Sequence, residues 1–546
     1  MIKPFHLAFI TLACAAWALG QAPTIIAVEN SATNAPPGLP NGAVAQGSLF
    51  VVKGTNLGPA TVVVAQTFPL QTSIGGTSAT VTVGGTTVNV IMYYSLASQI
   101  AGILPSSTPT GTGTIKITYQ GQSVTGPITV VQNNIGIFTV SQTGNGDAIA
   151  FVNTDNGLIT PTHAANPNDV IVFWGTGLGP VTFDETKAAV QTNMTNVPLK
   201  VYIGGQQVTV LFAGRNACCS SVDVVYVAVP SGVSGCSVPV IMQINNLVSN
   251  ATTIAVATDG TRTCTPTNPS VTLTGQGTFS TGGLVLSRSV AVSAGIGGIG
   301  GTTTKSDSIS GSFIKITPAP VSTLGSLLDI PAYGSCLVAQ YNGLSFPQTP
   351  QAPTVQYLDA GPSIAMSAPF GSKTIAKSSA NGVISYSLIL DQTATTLVAG
   401  AYSFTGPGGA DVGPFSVNFN NPAPLNWTPP STITRANGAT ISWTGGDPNG
   451  YLTITGTSTY IGDSQANSGS VTFLCTARVS AGSFTVPPPV LLALPPSSAL
   501  SGTAIVLPGT LSLGTTSLSA TFQATGLSLG GGVVSTFSSS SSVVYQ

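Results

Sequence analysis

The chain has 546 residues, of which only 5% are charged, and its formal net charge at pH 7 is −1. A chain this close to neutral lacks the cationic surface that attracts nucleic acid or anionic lipid, so those partners are excluded. Because 42% of the residues are hydrophobic, intrinsic disorder is excluded too. The 64 glycines and 39 prolines favour strands and turns over helices, so the sequence predicts an all-β protein.

The first twenty residues have the pattern of a secretory signal peptide. Lys3 precedes an apolar run over residues 7–19, and cleavage is expected before Gln21. This run is too short to span a bilayer. A lipoprotein signal acylated at Cys14 fits less well, because Thr11 stands where a branched apolar residue is needed. We therefore expect a secreted, extracellular or cell-surface protein without a transmembrane segment.

Two stretches of the N-terminal half repeat each other in the same order and at a nearly constant offset. The matched pairs are residues 47–59 with 168–180, 83–90 with 203–210, 100–106 with 225–231, and 126–130 with 252–256. Each stretch alternates short apolar strands with Gly, Asn and Pro turns, which is typical of an antiparallel sandwich. The repeat predicts tandem β-sandwich domains over residues 21–133 and 134–258.

The two units also resemble known families. The Gly-Thr-Asn/Gly-Leu-Gly-Pro loops at 54–59 and 175–180, with the Gly-Gly hairpin that follows each, resemble the IPT/TIG class of immunoglobulin-like domains. Residues 134–258 are similar to a recurring domain of uncharacterised exported proteins from acidobacterial soil organisms. The segments that carry this similarity are 136–138, 144–148, 165–167, 172–179 and 227–232. The resemblance implies tandem immunoglobulin-like β-sandwich domains and no particular activity.

The C-terminal half continues the β pattern. A polar, Pro/Thr-rich stretch over 259–269 predicts a linker, and a turn cluster near 406–413 divides the rest into sandwiches over 270–408 and 409–546. Strands at 439–443 and 451–455 flank a Gly/Asp/Pro/Asn turn and predict a hairpin. The serine run at 538–542 leads into Val-Val-Tyr, which indicates a closing strand.

Six cysteines follow the signal peptide, and an even number in an exported chain favours disulfides. Cys218, Cys219, Cys236 and Cys264 are expected to form two bridges, with the pairing left open. Because neighbouring strand residues point to opposite faces, the two adjacent cysteines are expected to bind different partners. A third bridge would join the remaining two cysteines across the C-terminal half. These are Cys336 and Cys475.

The motifs with catalytic associations lack their usual context. The glycine pattern at 295–300 matches a dinucleotide-binding loop, but no strand and helix flank it, so a plain loop is the better interpretation. Asp463 and Ser464 follow a glycine as in one esterase class, yet His163, the one histidine after the signal peptide, lies far upstream. We predict no catalytic residue and no cofactor. A secreted hydrolase with its active site in the C-terminal half, using Asp463, Ser464 or isolated aspartates, remains the alternative.

Four aspartates of the second unit could converge on calcium, which prefers several oxygen ligands. They are Asp147, Asp155, Asp169 and Asp223. The turn signal Asp-Asn-Gly at 155–157 favours a structural role instead, because dense ligand loops of the usual kind are absent from the sequence. We therefore predict no metal site.

Three aromatic residues lie near turns in the C-terminal half, where ligands of sandwich domains often bind. Trp427, Trp443 and Tyr451 are accordingly the candidate contacts to an extracellular glycan, with burial in a core as the commoner alternative. The sequence as a whole predicts an exported, non-catalytic protein with a binding, adhesion or structural role. The sequence does not identify the partner, for which an extracellular glycan or protein is the candidate.

Overall fold

A computed structural model describes residues 22–258, 260–264, 277–293, 301–317, 331–342, 354–464, 467–497 and 506–546. The signal peptide, Cys14 and the glycine-rich stretch at 295–300 lie outside these ranges. Within them the chain is almost entirely β, with one short α-helix, α1 (Pro488–Leu492), and 3₁₀ turns at Arg435–Asn437 and Val479–Ala481. No helix in the described ranges is long and apolar enough to cross a membrane.

The first unit consists of two sheets that share one core. Its strands are β1 (Thr24–Asn30), β2 (Val44–Ala45), β3 (Leu49–Thr55), β4 (Val63–Val64), β5 (Ser73–Ile74), β6 (Thr77–Val83), β7 (Thr86–Asn89), β8 (Ile91–Leu96), β9 (Gln99–Ile103), β10 (Gly111–Tyr119) and β11 (Gln122–Val131). One sheet has the order β1-β3-β9-β8-β4, and the other β2-β11-β10-β6-β5 with β7 on β6. Inward side chains of both sheets, such as Val52 and Val81, meet between them.

The second unit repeats this plan. Its strands are β12 (Gly136–Ile137), β13 (Ala150–Val152), β14 (Gly157–Leu158), β15 (Val170–Thr176), β16 (Thr192–Asn193), β17 (Leu199–Ile203), β18 (Gln206–Val208), β19 (Val210–Arg215), β20 (Asp223–Ala228), β21 (Gly235–Ile244), β22 (Leu247–Val248) and β23 (Thr252–Val256). The sheets run β14-β13-β15-β20-β19-β16, with β12 on β15, and β18-β17-β21-β22, with β23 on β21. They also enclose a single core.

The duplication is visible in matching hairpins. In β6, alternate residues from Thr77 to Val83 are buried, which is the period-two pattern of a strand with one face on a core. The turn to β7 is Gly84-Gly85, with φ of 56° and 82°, and its counterpart between β17 and β18 is Gly204-Gly205, with φ of 59° and 81°. Glycine adopts positive φ without strain, so this turn requires it at both places.

The C-terminal half forms one body. Its strands are β24 (Phe279–Ser293), β25 (Thr302–Thr317), β26 (Cys336–Asn342), β27 (Thr354–Tyr357), β28 (Ser363–Ser367), β29 (Lys373–Ala380), β30 (Val383–Asp391), β31 (Gly400–Gly406), β32 (Phe415–Asn421), β33 (Asn426–Trp427), β34 (Thr432–Ile433), β35 (Ala439–Thr444), β36 (Tyr451–Tyr460), β37 (Gly469–Arg478), β38 (Ser483–Val486), β39 (Gly509–Phe522) and β40 (Gly531–Tyr545). The main sheet has the order β26-β37-β36-β39-β40-β24-β25-β30-β29-β28-β31-β32. A small sheet, β33-β35-β38, packs beside it.

Two hydrophobic cores lie along this main sheet and share its central strands. Val533 at the start of β40 belongs to one core, and Val543 at its end belongs to the other. In β39, Phe522 belongs to the same core as Val533, and Leu511 belongs to the same core as Val543. Because β40 pairs in parallel with β24, the first and last strands of this body are adjacent over their whole common length.

The predicted fold class is confirmed as all-β with sandwiches in tandem. The closing strand predicted near the C-terminus is also present as β40. The hairpin predicted across 445–450 is wrong: β35 pairs with β33 and β38, whereas β36 pairs with β37 and β39. The turn therefore carries the chain from the small sheet to the main sheet.

The predicted boundary at residues 408 and 409 falls in the loop between β31 and β32, which pair with each other from Gly400↔Asn421 to Gly406↔Phe415. The described part of the predicted linker, residues 260–264, packs on the second unit. There Cys264 is buried and Arg262 accepts a hydrogen bond at its carbonyl from the Ala164 N–H.

Candidate functional site

Trp443 lies in a core. In β35, Ile441 and Trp443 point inward, and only 4% of Trp443 is exposed. Its indole Nε1 donates a hydrogen bond of 2.8 Å to the carbonyl oxygen of Val479. The prediction of Trp443 as an exposed contact for a sugar is therefore wrong, because its ring has no solvent-facing side.

The other two predicted aromatic contacts, Trp427 and Tyr451, have different neighbours. Trp427 is half-buried on the small sheet, where it pairs with Trp443 across β33 and β35 and packs against the core. Tyr451 begins β36, and its ring centroid is 5.6 Å from that of Tyr333. The Arg478 guanidinium lies 4.8 Å from the Tyr333 ring centroid. The sequence did not indicate this second aromatic cluster, because Tyr333 is distant from Tyr451 along the chain.

The residues of the hydrolase alternative have local structural partners. Asn467 Nδ2 donates to Asp463 Oδ1 at 2.6 Å, and the Asn467 N–H donates to Ser464 Oγ at 3.3 Å, as in a tight turn. His163 Nε2 lies 3.1 Å from Asp155 Oδ2 in the second unit. The structure therefore does not bring the histidine to the serine, and both groups have other partners.

The four aspartates considered for calcium are also bound by other side chains, and Arg262 is shared by Asp155, at 4.0 Å, and Asp169, at 2.7 Å. Asp147 accepts from the Thr253 hydroxyl, Asp155 contacts His163, Asp169 pairs with Arg262, and Asp223 pairs with Arg215. Within the described ranges, no three His, Cys, Asp or Glu side chains are grouped as metal ligands.

The structure pairs all six cysteines. Cys236 bonds to Cys264, which ties β21 to the chain just after the second unit, and Cys336 bonds to Cys475 between the paired strands β26 and β37. Cys218 and Cys219 bond to each other. Our expectation of different partners for these two is not met, because they lie in the loop between β19 and β20 and not in a strand, so strand alternation does not apply.

The loop that carries this vicinal disulfide packs against the first unit. Cys219 contacts an apolar cluster in which Val222 of the second unit meets four side chains of the first. Those four are Leu49, Leu70, Ile91 and Ile103. We call the contact between the two units, with this cluster at its centre, the inter-unit interface. Its four first-unit residues are no more than 7% exposed.

Polar contacts surround the cluster. The Ser106 N–H and hydroxyl donate to the two carboxylate oxygens of Glu185 at 2.8 and 2.9 Å. The Ser106 hydroxyl also accepts from the Val181 N–H at 2.9 Å. The Leu49 N–H donates to the Thr176 hydroxyl at 2.9 Å. One turn of the first unit is therefore fixed to one loop of the second by several directed bonds.

A buried ion pair supports that loop from within the second unit. Arg215 Nη1 and Asp223 Oδ1 are 2.6 Å apart, with side chains 1% and 0% exposed. Arg215 Nη2 donates to the Gly179 carbonyl oxygen, and the N–H groups of Gly177 and Leu178 donate to Asp223. These bonds fix the Gly-Leu-Gly-Pro loop that follows β15, which is the loop on which the family resemblance rests.

Burial raises the pKa of two carboxyl groups in this region, and hydrogen bonds and a positive charge oppose the rise at both. Desolvation raises the pKa of Glu185, while the hydrogen bonds from Ser106 and the charge of Arg215 act against the rise. Desolvation likewise raises the pKa of Asp223, opposed by Arg215 and by the amides of Leu178 and Gly177. Both carboxylates are held by donors, so their role in the described structure is to position backbone.

The C-terminal body is attached to both N-terminal units along β26. The amide side chain of Gln340 donates to the Thr33 carbonyl oxygen and accepts from Asn41 Nδ2 at 3.4 Å. The backbone of Gln340 bonds in both directions with the Asn145 side chain, at 2.9 and 3.1 Å. Gln340 thereby connects β26 to both N-terminal units.

No protein-family model and no curated protein matches the chain. Solved structures with weak similarity include a Bacteroides ovatus mixed-linkage glucan utilization locus protein, SGBP-B, in complex with a mixed-linkage heptasaccharide. It is 14% identical over 39% of this chain and 45% of its own, with a TM-score of 0.19. The chain thus spans less than half of that protein.

Domains 5–6 of the S-layer protein SbsC are 15% identical over 43% of this chain and 99% of theirs, with a TM-score of 0.15. The I9–I11 tandem of titin is 8% identical over 69% of this chain and 94% of its own, with a TM-score of 0.12. Similarities of this size do not transfer a function to the chain.

Proposed function

We propose that the chain is an exported, non-catalytic protein that acts outside the cell as a binding or structural element, with its two N-terminal units forming one stiff arm. The observation that carries the proposal is the inter-unit interface. Buried apolar side chains and the bonds of Ser106 to Glu185 join the two units directly, so the relative position of the units is fixed by packing.

The cysteines support an extracellular location. Disulfides persist in oxidising compartments and are rare in the cytosol, and the described chain holds three. A signal peptide over residues 1–20 accounts for delivery to such a compartment. The repeated Asn/Gly-Leu-Gly-Pro loops, the second of which is held by Asp223, support an IPT/TIG-like class for the N-terminal pair.

The same proposal accounts for the local partners of the candidate catalytic groups. A nucleophile needs a base within hydrogen-bond reach, and the Ser464 hydroxyl accepts instead from a backbone amide three residues on. Fold alone does not decide between a binding protein and an enzyme, so the decision belongs to an activity measurement.

The test uses the purified mature chain against a panel of esterase, glycosidase and peptidase substrates, with a Ser464→Ala variant beside it. We expect no turnover above the blank for either protein. Turnover that disappears in Ser464→Ala would replace this proposal with the secreted hydrolase. Spin labels on exposed strands of the two N-terminal units, one on each, should in addition give one narrow distance distribution in the full chain, and a broad distribution would contradict the stiff arm.

A further inference from the structure

A lysine, a glutamate and an asparagine meet at one edge of the first unit. Lys53 Nζ lies 2.6 Å from Glu29 Oε2 and donates a hydrogen bond of 3.0 Å to Asn34 Oδ1. Glu29 is in β1, Lys53 is in β3, and Asn34 is in the turn that follows β1. One amine nitrogen therefore contacts a carboxyl group and a primary amide at the same time. We call these three residues the Lys-Glu-Asn triad.

The strand register and a local turn bring the three side chains together. Glu29 lies opposite Val51, two residues before Lys53, and side chains two apart on a strand share a face. After β1 the Asn34 N–H donates to the Asn30 carbonyl oxygen at 3.0 Å, and Asn34 has a φ of 49°. Asparagine tolerates this left-handed conformation better than most residues, so the turn can place its side chain beside Lys53.

The carboxyl group of the triad is buried and the amine is not. The side chain of Glu29 is 3% exposed, whereas that of Lys53 is 33% exposed. Desolvation raises the pKa of Glu29, and the charge and hydrogen bond of Lys53 act against the rise. Burial favours the neutral form of the pair, because two neutral groups cost less to bury than two charges. In that form the carboxyl holds the proton and the amine has a lone pair, which is the form that attacks a carbonyl carbon.

The amide of Asn34 is oriented at both of its ends. Its oxygen accepts from Lys53, and its Nδ2 donates to the Gln142 carbonyl oxygen at 3.3 Å. The amine therefore lies at the carbonyl end of the amide, next to the carbon that it would attack. Holding two reacting groups in contact removes the need for a bimolecular encounter and accelerates their reaction strongly.

The second unit shows that the sandwich does not need a charged pair at these positions. The repeat matches Lys53 with Trp174. The register of β13 on β15, compared with that of β1 on β3, matches Glu29 with Phe151. The rings of Phe151 and Trp174 lie 5.5 Å apart, so an aromatic pair occupies the same place. Packing of the sandwich therefore does not explain the triad.

We propose that the first unit forms an intramolecular amide bond between Lys53 and Asn34, with Glu29 as the proton acceptor. The Lys53 ammonium gives one proton to the Glu29 carboxylate, and its nitrogen bonds to Asn34 Cγ. The bond from Cγ to Nδ2 breaks, the departing nitrogen takes a second proton from the lysine nitrogen, and ammonia leaves. One C–N bond forms and one breaks, so the reaction needs no oxidant, cofactor or second substrate.

The bond ties the turn after β1 to β3, with a sequence separation of 19. The same turn contacts the C-terminal body, because the Thr33 carbonyl oxygen accepts from the Gln340 side chain. The bond therefore fixes the segment at which the first unit meets the C-terminal body. The reaction occurs once in each chain and acts on no external substrate. The inference goes beyond the proposed non-catalytic function and does not depend on it.

The test is mass mapping of the full mature chain after reduction and digestion with trypsin. Lys53 and Lys116 are the only trypsin sites between residues 21 and 116, so an unreacted chain gives separate peptides over 21–53 and 54–116. The bonded chain should give one peptide over 21–116, lighter than its sequence by about 17 Da, with no fragment ions from breaks between 34 and 53. Lys377, which lies 3.1 Å from Asp359 in a more exposed pair, is the control and should be cut normally.

The position of the mass loss also has to be assigned. Gln21, the expected first residue, can lose ammonia by closing on its own amine. Fragments over residues 21–33 carry that loss if it belongs to Gln21, and they do not carry the loss at Asn34. Cleavage after Lys53 in most of the unaltered chain, with any loss confined to Gln21, would overturn the inference.

Three variants test the roles of the triad. Glu29→Gln keeps the size of the side chain and removes the proton acceptor, so cleavage after Lys53 should return with no loss at Asn34. Lys53→Arg keeps the charge and removes the nucleophile, and should also show no loss at Asn34. Asn34→Asp should still form the bond, now with loss of water, about 18 Da below its own sequence mass. An ion pair with only a structural role gives no such loss.

Far-ultraviolet circular dichroism shows whether each variant has folded. A bond that forms as fully in Glu29→Gln as in the unaltered chain would overturn the role of Glu29. Absence of the water loss in a folded Asn34→Asp would overturn the proposed chemistry.

Discussion

The N-terminal pair and the C-terminal body join their sandwiches in different ways. In the N-terminal pair each unit has its own core, and side chains at the inter-unit interface connect the two. In the C-terminal body, β39 and β40 run through both cores, so the backbone itself connects them. Tandem sandwiches can therefore be coupled either by side-chain contacts or by shared strands. Point substitution can remove side-chain contacts, but it cannot separate two cores that share a strand.

The largest effect is expected from Arg215→Met. Asp223 would remain buried without its partner, and breaking a buried ion pair costs about 3–5 kcal/mol. The loss should appear in the free energy of unfolding of residues 22–258, measured by hydrogen exchange resolved by peptide against denaturant, with the C-terminal body unchanged.

The control is Arg262→Met in the same unit. Arg262 and Asp169 are 2.7 Å apart, close to the 2.6 Å of the buried pair, but their side chains are 27% and 19% exposed, so the loss should stay below about 1 kcal/mol. Equal losses for the two variants would show that burial of the Arg215 pair has no special role.

Removal of disulfides should give the next largest difference in stability. Replacing Cys336 and Cys475 together by alanine should cost the C-terminal body about 2–4 kcal/mol, because this bridge closes a long loop in the unfolded chain, with a sequence separation of 139. Chemical denaturation under non-reducing conditions measures the loss.

The disulfide between Cys218 and Cys219 is the control for this prediction. Replacing Cys218 and Cys219 together by serine removes a bond with a sequence separation of 1, which restricts the unfolded chain hardly at all. We expect a change of less than about 1 kcal/mol, from lost packing against the first unit. A loss as large as that of the long-range pair would contradict the unfolded-state explanation.

Ser106→Ala tests the inter-unit interface directly. It removes one donor to Glu185 and the acceptor of the Val181 N–H, and should cost about 1–2 kcal/mol. The distance distribution between labels on the two N-terminal units should also broaden. Ser123→Ala, which alters an exposed hydroxyl pair of the first unit, is the control and should change neither quantity.

The smallest effect is a pH dependence. Burial raises the pKa of Glu185 above its ordinary value of 4.5, so folding favours the protonated carboxyl. The corresponding stability is present at low pH and is lost as the pH rises through the folded-state pKa. Glu185 should therefore add stability to the N-terminal pair, by under about 1 kcal/mol, between pH 7 and pH 5, and Glu185→Gln should reduce the pair's total gain by that amount. A gain of the same size in Glu185→Gln would assign the dependence to another group.

The sequence predicted those features that depend on local pattern. The duplicated hairpins at Gly84-Gly85 and Gly204-Gly205 follow from glycine and strand period, and β40 follows from its apolar end. The partner of β35 did not follow, because strand pairing in the C-terminal body is non-local and a turn sequence does not specify it. Trp443 could not be placed either, since a tryptophan near a turn has the same sequence signal whether it is buried or exposed.

The inter-unit interface was missed for a related reason. Ser106 and Glu185 are ordinary residues whose importance comes from their meeting across two units. This interface depends on tertiary packing, which period-two patterns do not contain.

The difference in coupling between the N-terminal pair and the C-terminal body is most directly tested by native-state hydrogen exchange. The full chain is measured over a series of sub-denaturing denaturant concentrations. We predict that amides at both ends of β39 and β40, which belong to the two C-terminal cores, exchange with one common free energy of opening at higher denaturant. The two N-terminal units should separate into two opening free energies once Ser106→Ala weakens their contact. Separate opening of the two C-terminal cores in the unaltered chain would contradict the claim that shared strands make them one cooperative unit.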